Sequence, residues 1–290
     1  MSVSHPIIAV TGSSGAGTST VKHAFEDIFR RIGIKPVVVE GDSFHRYNRM
    51  EMRAEVAKAE ELGKTLTHFG PEANRLDRLE TLFQTYSEGG KGETRLYIHD
   101  EKQGAKYDQA PGTFTPWEEI DGDNDLLFYE GLHGGVVTDE VNIARYTDLL
   151  IGVVPVINLE WIQKIKRDCA NRGYSQEAVV DIILKRMPDY IHHITPQFSR
   201  TDINFQRVPL IDTSNPFVMR EIPTPDESLV VIRFKDHKKA DFPYYLSMLK
   251  DSFMSRPNNL VVPAVKMALA MEVILTPFIE QMMVKKTQRG

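Results

Sequence analysis

Short runs of consecutive apolar residues alternate along this chain with longer stretches in which apolar residues recur every three or four positions. The runs predict buried strands, and the periodic stretches predict amphipathic helices. The predicted strands are 7–10, 36–40, 94–99, 125–130, 149–154, 230–234 and 260–263. The first predicted helix carries Val21, Phe25, Ile28 and Phe29 and stops at Gly33, and the others follow 49–62, 72–86, 158–171, 175–190 and 265–284. Strands alternating with helices indicate an α/β fold with an open, mostly parallel sheet flanked by helices, whose site is built by loops at the carboxyl ends of the strands.

The interruptions in this pattern do not divide the chain. Glycines at 89–92 and the Gly- and Pro-rich stretch 104–117 are typical of loops. No internal repeat, linker or low-complexity tract separates one half from the other. We therefore expect residues 1–290 to form a single domain, with the strands and helix of about 229–290 as an extension of it.

Composition narrows the class of protein. A formal net charge of −5 over 290 residues gives no overall electrostatic reason to expect nucleic acid or an anionic membrane as a partner. The first residues lack a basic-then-apolar secretion signal, and Lys266, Glu272 and two prolines interrupt the long apolar stretch 261–279, which we expect to be a buried helix. Cys169 is the only cysteine, so no intramolecular disulfide can form, as is typical of a cytoplasmic protein.

The loop after the first strand carries the strongest chemical signal. The spacing of Gly12, Gly17 and Ser19 matches a phosphate-binding loop, in which backbone N–H groups hold nucleotide phosphates and the Ser hydroxyl reaches Mg²⁺. Thr18 occupies the position of the usual lysine. The pattern predicts a P-loop fold like that of the nucleoside monophosphate kinases, with a Walker-A-type loop lacking its lysine. The predicted nucleotide-binding residues are Gly12, Ser13, Ser14, Gly15, Ala16, Gly17, Thr18, Ser19 and Thr20.

Two acidic residues follow predicted strands directly. Asp42 comes after the second strand, where a carboxylate can accept the proton of an acceptor hydroxyl, although an Asp there can also cap a turn. Glu130 ends an apolar strand and could hold Mg²⁺, together with Ser19, directly or through water. An acid at the end of a strand is also commonplace. The phosphate-binding loop favours the catalytic interpretation of both.

A cluster of charge on the predicted helix 158–171 offers a replacement for the missing lysine. Lys164, Arg167 and Asp168 project from one side of the helix, and Arg172 lies one turn further on. A solvated face with helical ion pairs would explain them equally well. Phosphoryl transfer still requires a cation, so Lys164 is the leading candidate, and Arg167 and Arg172 could bind phosphate groups. His45 and Arg49, close to Asp42, suggest an anionic acceptor such as a sugar phosphate.

Five segments resemble phosphoribulokinase in its proteobacterial form. They read VTGSSGAGTS at 10–19, EGDSFH at 40–45, FYEGLH at 128–133, VVPVINLEWIQK at 153–164 and NFQRVP at 204–209. The resemblance covers nearly the whole chain, and the missing P-loop lysine belongs to this branch. It implies transfer of the ATP γ-phosphate to the 1-hydroxyl of ribulose 5-phosphate, which gives ribulose 1,5-bisphosphate for carbon fixation in the Calvin cycle.

The same resemblance implies roles for individual residues. Asp42 would be the base, Glu130 and Asp168 metal or active-site carboxylates, and Lys164 an essential cation. The sugar phosphate would be bound by His45, Arg49, Arg167 and Arg172. The division of labour between Asp42 and Asp168 stays open.

The resemblance also implies regulation. Similar proteobacterial enzymes are octamers that NADH activates and AMP inhibits, and Arg31, Arg186, Arg233 and Arg256 are candidate effector contacts. The thioredoxin switch of plant-type relatives needs a cysteine pair, which this chain lacks.

Two alternatives differ in chemistry. A uridine kinase-like enzyme, or another sugar-phosphate kinase, would share the fold, but a uridine kinase normally keeps the loop lysine and has a neutral acceptor. A nucleotide-sensing regulatory protein would have no need for three suitable carboxylates and a substitute cation.

Overall fold

A computed structural model describes residues 4–12, 18–120, 122–219 and 221–288, and gives only the backbone of residues 18–20, 171 and 172. Within these ranges ten strands form two sheets. The strands are β1 (Ile7–Gly12), β2 (Pro36–Glu40), β3 (Glu93–Thr94), β4 (Glu118–Glu119), β5 (Leu126–Gly131), β6 (Leu149–Val154), β7 (Ile203–Pro209), β8 (Ser228–Phe234), β9 (Phe253–Arg256) and β10 (Asn259–Pro263).

Helices connect most of these strands and cover the sheet. They are α1 (Thr18–Ile32), α2 (Arg49–Glu61), α3 (Leu76–Gly89), α4 (Glu101–Tyr107), α5 (Ile157–Arg172), α6 (Gln176–Asp189), α7 (Phe242–Met248) and α8 (Met267–Thr287). Short turns of 3-10 helix lie at Gly41–Phe44, after β2, and at Thr195–Ser199, which follows a π-helical turn at Tyr190–Ile194.

The main sheet has the order β2-β5-β1-β6-β7-β8-β10-β9 among the described residues. The pairs from β2 to β7 are parallel, and β7-β8, β8-β10 and β10-β9 are antiparallel. The sheet is therefore mostly parallel, as the sequence predicts. Its parallel half brings the ends of β1, β2 and β5 side by side, as the candidate chemistry requires.

Two apolar layers hold the helices on the sheet. On one face, residues of α1 and α8 pack on the strands around Ile8, Phe128 and Ile232. On the other face, α3 packs on Ile7, Leu127 and neighbouring residues. β1 is buried along its whole length because both of its faces are covered, and it is accordingly apolar without alternation from Ile7 to Val10.

Several element predictions need correction. The predicted strand 94–99 is a strand only at Glu93–Thr94; beyond it the backbone pairs irregularly with 112–115, through Ile98 N to Thr113 O (2.9 Å) and Thr115 N to Leu96 O (3.0 Å). The predicted loop 104–117 contains the end of α4. Helix α3 begins at Leu76 because the residues before it form a 3-10 turn and an extended segment. The sequence interpretation missed β7, β9 and α7 altogether.

The C-terminal helix agrees in part with the expectation of a buried apolar segment. By length and composition alone, the helical segment Ala264–Thr287 could span a membrane. Ala270, Met271 and Ile274 are nevertheless fully buried against the sheet and α1. A third of the most apolar window of this segment is buried inside the structure, so the helix is buried along part of its length.

Candidate active site

Three carboxylates meet at the carboxyl ends of β2 and β5. Glu40 ends β2 and stands opposite Glu130 of β5 in the parallel register, and Asp42 follows Glu40 by two residues. All three line a cavity of about 490 Å³ together with Gly12 at the end of β1. The structure thus brings together the predicted base, the predicted metal carboxylate and the start of the phosphate-binding loop.

The remainder of that loop lies mostly outside the described residues. Ser13, Ser14, Gly15, Ala16 and Gly17 are not described, nor are the side chains of Thr18, Ser19 and Thr20, whose backbone opens α1. Gly12 is paired with Val153 of β6. A Cβ atom at Gly12 would stand 2.7 Å from the Val153 carbonyl oxygen, so the strand must enter the loop without a side chain here.

Asp42 is placed by a tight turn directly after β2. The 3-10 turn Gly41–Phe44 begins with a glycine because a Cβ there would stand 2.9 Å from the Cα of Gly131 on the adjacent strand. The Asp42 side chain keeps 43% of its exposure, so a substrate can reach it. Burial raises the pKa of Asp42, the nearby His99 imidazole opposes that rise, and Glu40 adds to it.

Four histidines surround Asp42, and three of them were missed by the sequence interpretation. His45 Nε2 lies 3.5 Å from Asp42 Oδ1, and His99 Nε2 lies 4.0 Å from Asp42 Oδ2. His68 stacks on His45 with ring centroids 4.0 Å apart. His133 is buried behind them, its Nε2 3.1 Å from the Phe69 carbonyl oxygen.

These histidines differ in charge because they differ in burial. Burial lowers the pKa of His45 and of His68 to about 3 and that of His133 to about 4, so all three are neutral near pH 7. His45 can therefore contact an anionic acceptor only as a neutral hydrogen-bond donor. The pKa of His99 is raised instead, chiefly by its contact with the Glu40 carboxylate.

Glu40 links His99 to a cation of α1. Lys22 Nζ lies 2.7 Å from Glu40 Oε1, and His99 Nε2 lies 3.8 Å from Glu40 Oε2. Contacts with His99 and Lys22 lower the pKa of Glu40 to about 2. Lys22 also lines the cavity, so it is a second candidate for the missing P-loop cation, one that Glu40 already neutralises. The position of Glu40 at a strand end was the signal that could have revealed this pair.

The charge cluster of α5 is not a solvated face. Asp168 retains only 3% of its side-chain exposure, with Lys164 Nζ at 2.5 Å from Oδ2 and Arg167 Nε at 3.0 Å from Oδ1. Although burial alone would raise it, the two cations hold the pKa of Asp168 below its ordinary value. Burial and Arg186 lower the pKa of Lys164. The buried ion pairs correct the solvated-face alternative.

Arg186 connects this cluster to the histidines around Asp42. Its guanidinium lies 5.6 Å from the ring centroid of Phe69, the residue that follows His68. Lys164, Phe69 and Arg186 line a small cavity of about 30 Å³ between α5 and α6. Within the described part of the chain, Lys164 therefore lines the cavity of about 30 Å³, whereas Asp42 and Glu130 line the cavity of about 490 Å³. The two predicted halves of the site are thus neighbours across the 68–69 segment.

The remaining predicted substrate and effector residues fall in several places. Arg49 Nη2 donates to the His99 carbonyl oxygen (3.2 Å), which puts it beside the large cavity. The side chain of Arg172, at the end of α5, lies outside the described residues. Arg31 pairs with Glu272 of α8. Arg233 of β8 and Arg256 of β9 stand opposite Asn259 from the two sides of β10, the strand between them. The structure therefore brings together only two of the four candidate effector arginines.

Comparison with known proteins assigns this arrangement to a family. Residues 7–214, which contain the phosphate-binding strand, the Asp42 turn and the α5 cluster, match the model of the Phosphoribulokinase / Uridine kinase family. The chain belongs to that family. It is therefore a kinase that phosphorylates an alcohol, with ATP as the phosphoryl donor and Mg²⁺ as the metal.

Relatives within the phosphoribulokinase/uridine kinase family match over their full length. A chromosomal phosphoribulokinase of Cupriavidus necator is 62% identical over 287 residues, which cover 99% of this chain and 98% of that protein. A probable phosphoribulokinase of Escherichia coli is 54% identical, with 98% of each chain covered. A solved phosphoribulokinase structure from Rhodobacter spheroides superposes with a TM-score of 0.92 at 58% identity, covering 99% of this chain and 100% of that one.

Proposed function

We propose that this chain transfers the γ-phosphate of ATP to the 1-hydroxyl of D-ribulose 5-phosphate, giving ribulose 1,5-bisphosphate and ADP. The observation that carries the proposal is the combination of full-length relatives named phosphoribulokinase with a carboxylate, Asp42, held at the mouth of a cavity next to the P-loop strand. Uridine kinase-like chemistry, the other branch of the family, is the alternative that the experiment must separate.

In this proposal Asp42 is the general base. Its carboxylate accepts the proton of the 1-hydroxyl while that oxygen attacks the γ-phosphorus, and the bond from phosphorus to the leaving oxygen of ADP breaks in line. A base is most effective when its pKa approaches the working pH, and burial raises the pKa of Asp42 in that direction. His45 and Arg49, placed near Asp42, would contact the sugar phosphate.

Glu130 and Ser19 would hold Mg²⁺. The described residues contain no preformed group of three or more metal-ligating side chains. Mg²⁺ usually takes one or two carboxylates and completes its shell with substrate phosphates and water, so a single Glu130 lining the cavity suits it. When bound, the ion neutralises charge on the β- and γ-phosphate oxygens.

Lys164 would supply the charge that Thr18 cannot, with Asp168 orienting it. Arg167, and Arg172 at the end of the same helix, would contact phosphate groups. The buried Lys164–Asp168 contact supports this assignment because a charged pair with 3% exposure of its carboxylate is costly to maintain for stability alone.

ATP turnover with separate acceptors tests the function. The purified protein with Mg²⁺ is offered ribulose 5-phosphate, ribulose and uridine, and we expect turnover with ribulose 5-phosphate alone. Turnover with uridine would move the assignment to nucleoside kinases, and ATP binding without turnover of any acceptor would favour a nucleotide sensor.

Two lysine variants test the substitute cation. Lys164→Met should lower kcat by about 10²–10³. Lys22→Met should have a smaller effect because Lys22 pairs with Glu40, whereas Lys164 shares the single carboxylate of Asp168 with Arg167, which leaves the α5 cluster with a net positive charge. A larger loss in Lys22→Met would transfer the role to α1.

Asp42→Asn should lower kcat by about 10²–10⁴, the range expected for loss of a general base.

Assembly and regulation follow from the resemblance. We infer a cytoplasmic homo-octamer that NADH activates and AMP inhibits, built from a single-domain chain. Arg31, Arg186, Arg233 and Arg256 would contact the effectors, and the proximity of Arg233 and Arg256 across Asn259 supports a shared anion contact for those two. Sedimentation of the purified protein tests the octamer, and the NADH response of Arg256→Gln tests the contact.

A further inference from the structure

The turn that carries Asp42 relies on one side chain from another part of the chain. Arg95, which follows β3, donates from Nε to the Ser43 carbonyl oxygen (2.9 Å) and from Nη2 to the His45 carbonyl oxygen (2.8 Å). The two acceptors flank Phe44 at the end of the turn. A single guanidinium thus spans the segment that places both the base and the nearest histidine.

The other carbonyl groups of the segment have backbone donors. The Asp42 oxygen accepts from His45 N (3.2 Å), and the Phe44 oxygen accepts from Arg75 N (2.7 Å). The four successive carbonyl groups of residues 42–45 thus alternate in their donors. Those of Asp42 and Phe44 accept from backbone N–H groups, and those of Ser43 and His45 accept from Arg95. Buried carbonyl groups are nearly always hydrogen-bonded, so this side chain completes the set.

Arg95 is itself held in one orientation. Its guanidinium carbon lies 3.6 Å from the ring centroid of Phe114 and 4.6 Å from that of Trp117. Trp117 also contacts Phe44, with ring centroids 5.5 Å apart. The aromatic rings therefore pack on the guanidinium and on the turn together.

The cation serves the backbone instead of a carboxylate. No salt bridge joins Arg95 to an acidic side chain in the part of the chain that the structure describes. Burial and the neighbouring Arg75 and Arg78 lower the pKa of Arg95 to about 10, which leaves it charged near pH 7. Partial burial of a charge is energetically unfavourable, and the charge-assisted hydrogen bonds from Arg95 to two carbonyl groups offset that desolvation penalty.

We propose that Arg95 is a positioning residue for phosphoryl transfer, which fixes the turn Gly41–Phe44 and thereby the carboxylate of Asp42. The inference rests on the proposed function in that Asp42 is taken as the base. Lysine cannot replace it, because an ammonium lacks the planar fork that reaches two carbonyls while packed on aromatic rings.

Charge-conserving variants at two arginines test the proposal. Arg95→Lys should lower kcat with ribulose 5-phosphate by about 10²-fold, as a displacement near 1 Å does, and leave the KM for ATP unchanged. Arg78→Lys is the matched control, since Arg78 also lies 4.6 Å from the Trp117 ring but pairs with Glu93. In Arg95→Ala, millimolar guanidinium chloride should restore part of kcat by replacing the missing side-chain group. A variant that is only destabilised would lose further activity instead, because guanidinium chloride is a denaturant.

Hydrogen exchange gives a second readout that does not depend on the substrate. The amides of His45 and Arg75, which bond within and to the turn, should exchange about tenfold faster in Arg95→Lys than in the wild type and be unchanged in Arg78→Lys. Equal kcat losses in the two variants, or unchanged exchange at His45, would overturn the proposal. If the wild type fails to turn over ribulose 5-phosphate, the proposed function fails, and exchange still decides the role of Arg95.

Discussion

Gln197 offers the sharpest test of how the ends of the parallel strands are held together. It is fully buried and uses its entire hydrogen-bonding capacity. Its Oε1 accepts from Thr11 Oγ1 (2.9 Å) and from Gly135 N (3.0 Å), and its Nε2 donates to the carbonyl oxygens of Leu132 (2.9 Å) and His193 (2.7 Å). One amide thus joins β1, just before the phosphate-binding loop, to the segment after β5 and to the 190–199 turns.

Replacing the amide with an apolar side chain of similar length isolates these bonds. In Gln197→Met, Thr11 and Leu132 keep their direct contact of 3.2 Å, but the Gly135 N–H loses its partner. An orphaned buried N–H costs about 1–3 kcal/mol, and each of the two carbonyls loses a bond worth about 0.5–1.5 kcal/mol. The free energy of unfolding should fall by about 2–6 kcal/mol, a large part of the roughly 5–15 kcal/mol typical of a domain.

Urea unfolding measures this change. Gln84→Met is the matched control, because Gln84 is exposed on α3 and, among the described contacts, its side chain bonds only to Glu88 of its own helix (3.1 Å). The control should stay within about 0.5 kcal/mol of the wild type. If Gln197→Met also stays within that range, the argument that this amide satisfies buried groups is wrong.

A charged variant at the same position checks the mechanism. In Gln197→Glu, the second carboxylate oxygen would face the carbonyl oxygens of Leu132 and His193, so the folded protein should favour the protonated acid. A folded-state pKa raised above that of the unfolded chain makes stability fall as pH rises between the two values. We therefore expect the loss relative to the wild type to shrink at low pH. A loss independent of pH would contradict this account.

Two further predictions concern Gly12, at the end of β1, and Asp148, which accepts a hydrogen bond from Ile7 N at the start of β1. Gly12→Ala should weaken ATP binding, measured as a raised KM, because its Cβ would meet the Val153 carbonyl at 2.7 Å, whereas Gly33→Ala, at φ +69° with no atom within 4 Å, should cost stability without changing the KM. Burial raises the pKa of Asp148 from 3.8 to about 6, so this group makes stability fall as pH rises from about 4 through about 6. Asp148→Asn keeps an acceptor for Ile7 N and should remove this fall in stability. Thermal unfolding at pH 8 should then show about 1–2 kcal/mol more stability than in the wild type. An unchanged pH dependence of stability would refute the assignment.

Four strands of the parallel half could be predicted because each contains a run of consecutive apolar residues. β1, β5 and β6 were found at nearly the observed bounds, since a strand covered on both faces needs a run of apolar residues. β2 was found from its run of three valines, although it lies at the edge of the sheet and Val38 is exposed. β7 was missed because it carries Asn204, Gln206 and Arg207 among its apolar positions and follows a turn region. Its strand character comes from pairing with β6 and β8, which no local pattern expresses.

The sequence by itself determined the candidate groups of the site: a glycine-rich loop after β1, a carboxylate after β2, another at the end of β5, and a charged helix. Only the tertiary structure decided how those charges behave. His68, His99 and His133 come from separate segments and join His45 around Asp42 only after folding. Charge state depends on desolvation and on neighbours from other segments, and both are properties of the packed chain that residue order does not specify.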